Sequence, residues 1–154
     1  MRPPSDSYLN AGDAWACLGE AYQFLNKGDF RQAIEYFDRA EKSYDHLNKT
    51  IGGFENERAM ALRQKETALA LVDMSMSMSL EFLRRWPDHK RWDQSTEWVL
   101  HFLHHYETLK KYAHQEATQE EFNEFVAVLR PHSDDESFLA ALGADAERIR
   151  KLIK

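Results

Sequence analysis

Residues 15–40, WACLGEAYQFLNKGDFRQAIEYFDRA, hold two helical patterns and the turn that joins them. In the first half Trp15, Leu18, Tyr22 and Leu25 recur at spacings of three and four, which lines them along one side of a helix. Lys27-Gly28 ends that helix, because glycine accepts a left-handed C-cap without strain. Asp29 then starts a second helix, with Gln32 three residues on in capping-box position. Phe30, Ala33, Ile34, Phe37, Ala40, Tyr44 and Leu47 form its apolar stripe. Outward from this core the first helix is expected to start near Ser7, and Gly52-Gly53 breaks the chain after the second.

The same reading continues to the C-terminus. A long third helix is expected from Phe54 to Trp86. Leu62, Leu69, Val72, Met76, Leu80 and Leu83 form one apolar face of it, and Met60, Leu71, Met78 and Phe82 a second. A helix apolar on two sides is sandwiched between neighbours or completes an oligomer interface, so a homodimer is one expectation. The Met-Ser alternation from Met74 to Ser79 imitates a strand, but the helical periodicity around it is longer and decides for helix. Trp86-Pro87 stops the element. A fourth helix, from Asp88 or Asp93 to Gln115, carries Trp92, Trp98, Val99, Phe102, Leu103, Tyr106, Leu109 and Tyr112 on one broad arc. Thr118-Gln119-Glu120-Glu121 and Ser133-Asp134-Asp135-Glu136 both have the capping-box pattern and start two short helices. A last helix from Ala144 to Ile153 closes an all-α chain. No linker divides it, so 1–154 reads as a single helical domain, built of a helical pair (7–49), two long helices (54–115) and three short ones (118–154).

Composition agrees with a packed, helix-rich globule: of 154 residues 43% are apolar and 12% aromatic, with only 6 Gly and 4 Pro. The net charge of −6 gives no footprint for DNA or RNA. The Arg84-Arg85-Trp86 and Lys90-Arg91-Trp92 clusters interleave bases with aromatics, but they are few in an acidic chain and suit a connector between helices. Arg148, Arg150, Lys151 and Lys154 complement the dipole of a final helix. Thr67–Leu83 is the most apolar stretch, yet it holds Asp73 and Glu81 and is shorter than the ~20 residues of a membrane span. The single cysteine, Cys17, asks for no oxidising compartment and reads as a small buried residue of the first helix. With no apolar run of signal-peptide type after Met1, a cytoplasmic location is expected.

Residues 15–40 resemble a tetratricopeptide repeat, whose pattern is W-x2-L-G-x2-Y followed by A-x3-F and a further alanine. Trp15, Leu18, Gly19 and Tyr22 fill the first part, and Ala33, Phe37 and Ala40 the second, across a Gly28-Asp29-Phe30 turn. The resemblance implies that Gly19 and Ala33 let the two helices approach closely while Trp15, Tyr22 and Phe37 fill the space beside the contact. The stretch between Tyr22 and Gly28 is longer than the family pattern by two residues, no closing proline follows Ala40, and no second copy is legible. The chain is therefore a TPR-like pair extended by other helices, not a solenoid. Proteins of this family bind peptides or partner helices on the face lined by each repeat's first helix. By position that face is Asp13, Ala16, Glu20 and Gln23. These residues do not reproduce the lysine and asparagine set with which some relatives hold a C-terminal carboxylate. Asp13 and Glu20 suit a basic or amphipathic protein segment better.

Chemistry-bearing constellations are sparse. Glu97, His101 and His104 fall on one face of the fourth helix, at spacings that allow a shared metal ion, but that face lies opposite the aromatic arc and should be solvated. His105 borders the arc and reads as a packing residue. Glu66 and Asp73 fall on the apolar face of the third helix, where a carboxylate is costly unless it pairs with an arginine such as Arg58 or Arg63 or lies at a helix edge that reaches water. There is no G-x-S-x-G, no glycine-rich phosphate loop and no H-E-x-x-H, so no catalytic residue and no cofactor are expected. The expected function is a protein-binding module: an adaptor, a client-specific chaperone or an inhibitor. The alternative is a helical-bundle ligand- or metal-binding protein or enzyme using Glu66, Asp73 or the Glu97-His101-His104 face.

Overall fold

The computed structural model describes the backbone of residues 3–85, 92–112 and 115–154, and the side chains of residues 11–85, 95–112 and 118–154. Among the described residues every regular element is a helix and none is a strand. The order is α1 (Pro3–Asn26), α2 (Phe30–Thr50), α3 (Glu55–Arg85), α4 (Trp92–Tyr112), α5 (Gln115–Leu129), α6 (Glu136–Leu142) and α7 (Ala146–Ile153). Single 3-10 turns, Arg130–His132 and Gly143–Asp145, precede and follow α6. No helix among the described residues is long and apolar enough to cross a membrane.

Local chemistry accounts for the element ends. Gly28 takes φ 80°, which lets Asp29 N–H reach the Phe24 carbonyl (2.9 Å) and Gly28 N–H the Leu25 carbonyl (3.0 Å). These two bonds form the Schellman closure that satisfies otherwise orphaned carbonyls at the end of α1. Asp29 then caps α2, its Oδ1 accepting from Gln32 N–H at 3.2 Å. At the next turn Gly52 and Gly53 take φ 85° and 86°. Asn48 bridges that turn, its Oδ1 accepting from Phe54 N–H (3.2 Å) and its Nδ2 donating to Glu55 (3.1 Å).

Several expected boundaries move. α1 begins at Pro3 and not near Ser7, since prolines fit a first helical turn that needs no N–H donor. The box at Thr118 is not a start: α5 begins at Gln115, Thr118 lies inside it and is buried, and Gln115 belongs to α5 and not to α4. The cap of α6 is Asp135 and not Ser133. Its Oδ1 accepts from the N–H groups of Ser137 (2.9 Å) and Phe138 (3.3 Å), while Ser133 N–H closes the preceding turn on the Arg130 carbonyl. The stop expected at Trp86-Pro87, the basic cluster Lys90-Arg91-Trp92 and the side chain of Trp92 lie outside what is described.

The chain divides into two compact units, Met1–Leu71 and Val72–Lys154, and the division falls inside α3 and not at a linker. In the first unit α1 and α2 form an antiparallel pair around Ala14, Leu18, Ala21, Ala33, Phe37, Ala40, Tyr44 and Leu47, joined by Ala61 of α3. Tyr22 meets Phe37 edge-on at 5.2 Å, and Lys65 of α3 donates to both Asp38 (3.1 Å) and Glu41 (2.9 Å) of α2. In the second unit Val72, Met76, Leu80 and Leu83 of α3 are buried, as are Val99, Phe102, Leu103 and Leu109 of α4. Phe102 stacks on Phe125 of α5 at 4.2 Å, and Tyr106 on Phe122 at 4.4 Å. Arg130 Nε donates to the Ile153 carbonyl (3.1 Å), and Arg150 pairs with Asp134 (2.8 Å), which ties down α7.

The two faces expected of α3 differ in depth. The first is buried or half-buried throughout, but on the second Leu71 and Met78 are exposed and only Met60 and Phe82 are half-buried, Phe82 against Trp98 at 4.6 Å. The Met-Ser alternation is continuous helix, with Met76 inside and Met74 and Met78 outside.

Candidate functional site

Asp13, Ala16, Glu20 and Gln23 follow one another on α1 at spacings of three and four, and all four are exposed. Their neighbour Trp15 is exposed too, at 70%, and a Cβ on Gly19 would meet nothing within 4 Å. Neither residue therefore has the packing role that the resemblance implies. The reason is rotational: Ala14 and Leu18 are the residues that turn into the α1–α2 contact. One further residue is about 100° of helix, which carries Trp15 and Gly19 out of it. Leu18, Ala33, Phe37 and Ala40 are buried as expected, and Tyr22 is half-buried.

Beside the outward face of α1, α2 raises a second wall. Asp13, Ala16, Cys17 and Glu20 from α1 and Tyr36, Arg39, Lys42 and Ser43 from α2 line an open groove of about 470 Å³. Ala16 contributes only a methyl group, which leaves room between Asp13 and Glu20. The structure thus brings together three of the four residues placed on this face. Gln23, one turn beyond Glu20, does not line the groove.

Charge is distributed unevenly across it. On the α2 side each base already has a partner on its own helix. Arg39 Nη2 binds Glu35 Oε1 at 2.9 Å and lies over the Tyr36 ring at 5.0 Å, and Lys42 binds Asp38 at 2.8 Å. Burial pushes the Asp38 carboxyl up, but the hydrogen bonds and charges of Lys42 and Lys65 outweigh it and hold the group below its ordinary value. On the α1 side Asp13 and Glu20 have no ion-pair partner among the described residues. Cys17 lies half-buried between the walls and is not the closed packing residue expected. Burial raises its thiol pKa, Arg39 opposes that, and Asp13 and Glu20 add to it.

The other constellations do not assemble. Glu97, His101 and His104 are exposed, and no group of three side chains able to hold a metal occurs among the described residues. His105 is half-buried, and its pKa falls to about 4 because burial, then the charges of His104 and His101, disfavour its protonation. Glu66 and Asp73 are exposed, at a helix edge that reaches water, and Arg58 pairs with Glu55 and not with either of them. Asp73 does have a neighbour in Glu121 of α5, which accepts a hydrogen bond from Ser77 at 2.9 Å. Burial raises the Glu121 pKa, and the adjacent Asp73 carboxyl raises it further against the opposing effects of Ser77 and Arg84.

The α2 wall was missed because the family face names residues of the first helix only. Its signal was present in the sequence: Tyr36, Arg39 and Ser43, at spacings of three and four, form a polar edge next to the Ala33-Phe37-Ala40 stripe. Comparison with known protein families, with curated protein sequences and with solved structures finds no match to this chain.

Proposed function

We propose that this chain is a protein-binding module, a TPR-like adaptor, client-specific chaperone or inhibitor acting in the cytoplasm, which holds a segment of a partner protein in the α1–α2 groove. One observation carries the reading: Asp13, Ala16 and Glu20, placed on a binding face by sequence position, line an open groove with the aromatic and basic wall of α2. An apolar floor with charged edges is the anatomy of a protein-docking surface. Arg39 and Lys42 pair with acids of their own helix, so among the described residues the charge left unpaired in the groove is that of Asp13 and Glu20, which suits a basic or amphipathic segment.

Steric blocking tests this. Ala16→Arg fills the groove at an exposed position and leaves the core intact, as circular dichroism can verify. Gln23→Arg adds the same charge and bulk outside the groove. A protein retained by wild type and by Gln23→Arg but lost by Ala16→Arg supports the reading. Equal retention by all three overturns it.

A further inference from the structure

The groove has a sign and a repeat, and both describe its occupant. Four charged side chains line it, but Arg39 and Lys42 are neutralised by Glu35 and Asp38 on their own helix. Asp13 and Glu20 are left without a partner among the described residues, so the potential left over is negative and lies along the α1 wall. The two acids stand seven residues apart. Seven residues of α-helix make almost two full turns and rise about 10 Å, so both carboxylates point the same way with Ala16 in the gap between them.

We infer that the occupant is an amphipathic helix of another protein whose basic residues, seven positions apart, face Asp13 and Glu20 while an apolar side chain between them seats over Ala16 and Cys17 against Tyr36. This rests on the docking reading above and adds to it the charge, the spacing and the side of the groove on which recognition falls. A helix laid alongside α1 repeats at the same seven-residue interval, so one register satisfies both carboxylates at once. An extended strand advances about 3.3 Å per residue and crosses the same distance in three residues, which puts alternate side chains on the wrong side. The α2 wall sharpens the choice: a partner with acids toward α1 meets two unpaired carboxylates there and finds the cations opposite already engaged.

Cys17 supplies the readout, being the only cysteine of the chain and a lining residue of the groove. Two fluorescently labelled helical peptides serve as probes. One carries lysines at positions i and i+7 around a leucine at i+3, and the other has glutamates in place of the lysines. Fluorescence anisotropy with the whole chain gives the affinities, and the rate of Cys17 alkylation by iodoacetamide reports whether the groove is covered. The expected result is that the lysine peptide binds at least ~10-fold more tightly than the glutamate peptide and slows alkylation. Added salt weakens that binding. In the Asp13→Lys, Glu20→Lys double variant, altered only at exposed positions, the preference inverts. The Asp13→Asn, Glu20→Gln variant removes the preference without inverting it.

Equal binding of both peptides with Cys17 protected overturns the inference yet leaves the groove a docking site. Binding without protection of Cys17 places the contact elsewhere and overturns it. Binding of neither peptide, with Ala16→Arg still releasing a captured protein, overturns the helical occupant and not the function. If Cys17 becomes protected as the chain alone is concentrated, the occupant is a second copy, and the inference fails.

Discussion

In residues 1–71 the fully buried side chains are mostly small, Ala14, Ala21, Ala33, Ala40 and Ala61 around one large ring, Phe37. Residues 72–154 are instead centred on the stacked rings of Phe102 and Phe125, with Phe138 also fully buried. The first unit gains its contacts by bringing backbones close, which needs well-placed turns, hence the Gly28 closure and the Asp29 cap. The second gains them by filling volume with rings between helices. Their charges differ in the same spirit. Lys65 bridges Asp38 and Glu41 in the first unit, whereas Asp73 and Glu121 in the second set two carboxyl groups side by side. The contrast is local: opposite charges meet at Lys65, and like ones meet at Asp73 and Glu121.

That contrast can be broken by mutation. The largest effect is expected for Phe102→Ala, which empties a ring-sized site and should cost about 3–5 kcal/mol by urea unfolding. Ala33→Leu is its mirror image. Overpacking the close helix contact should cost about 1–3 kcal/mol, and a cost under ~0.5 kcal/mol would show that the first unit is not tightly apposed at all.

Lys65→Met comes next. Leaving Asp38 and Glu41 without their shared cation should cost about 1–2 kcal/mol at neutral pH, since the site is partly solvated and Asp38 keeps Lys42. Because the Asp38 pKa is lowered on folding, its contribution is present above the ordinary carboxylate value and is lost as the pH falls through the folded one. The difference between Lys65→Met and wild type should therefore shrink on acidification. A difference that does not change with pH would mean that the lysine acts through its aliphatic stem.

The smallest effect, under ~1 kcal/mol, is expected for Glu121→Gln, which should stabilise the chain at neutral pH. The Glu121 pKa is raised, so the folded state holds that proton more tightly than the unfolded chain does. The penalty applies above the folded pKa and is relieved as the pH falls through it. The gain from Glu121→Gln should vanish in acid, opposite in sense to the lost contribution of Asp38. If either difference persists unchanged in acid, the electrostatic half of the comparison fails.

The all-α fold was legible because its signals are local. Gly28-Asp29 and Gly52-Gly53 announce turns through backbone chemistry alone, and each apolar stripe needs only its own helix to be recognised. What failed depended on partners. Thr118 has the residues of a capping box, but Gln115 to Ala117 are equally good helix formers, and nothing in the pattern forces a start at the threonine. At α6 two eligible caps stand two residues apart, and the 3-10 turn at Arg130–His132 takes up Ser133 and leaves Asp135 for the helix. Trp15 and Gly19 matched a family pattern in one dimension, while the rotation of α1 about its axis is set by packing on α2. The candidate site was half legible for the same reason: one wall lies on a single helix and can be read in sequence, and the other exists only once α2 folds back beside it.

The boundary between Leu71 and Val72, in the middle of a 31-residue helix, bears on how such a chain could be cut and rejoined. Shuffling of gene segments works where a cut lands in a loop, since each piece keeps its finished ends. A cut here would leave one piece with four carbonyls and the other with four amides that had lost their helical partners. Exchanging either half as a cassette would therefore break helical hydrogen bonds that a cut in a loop leaves intact.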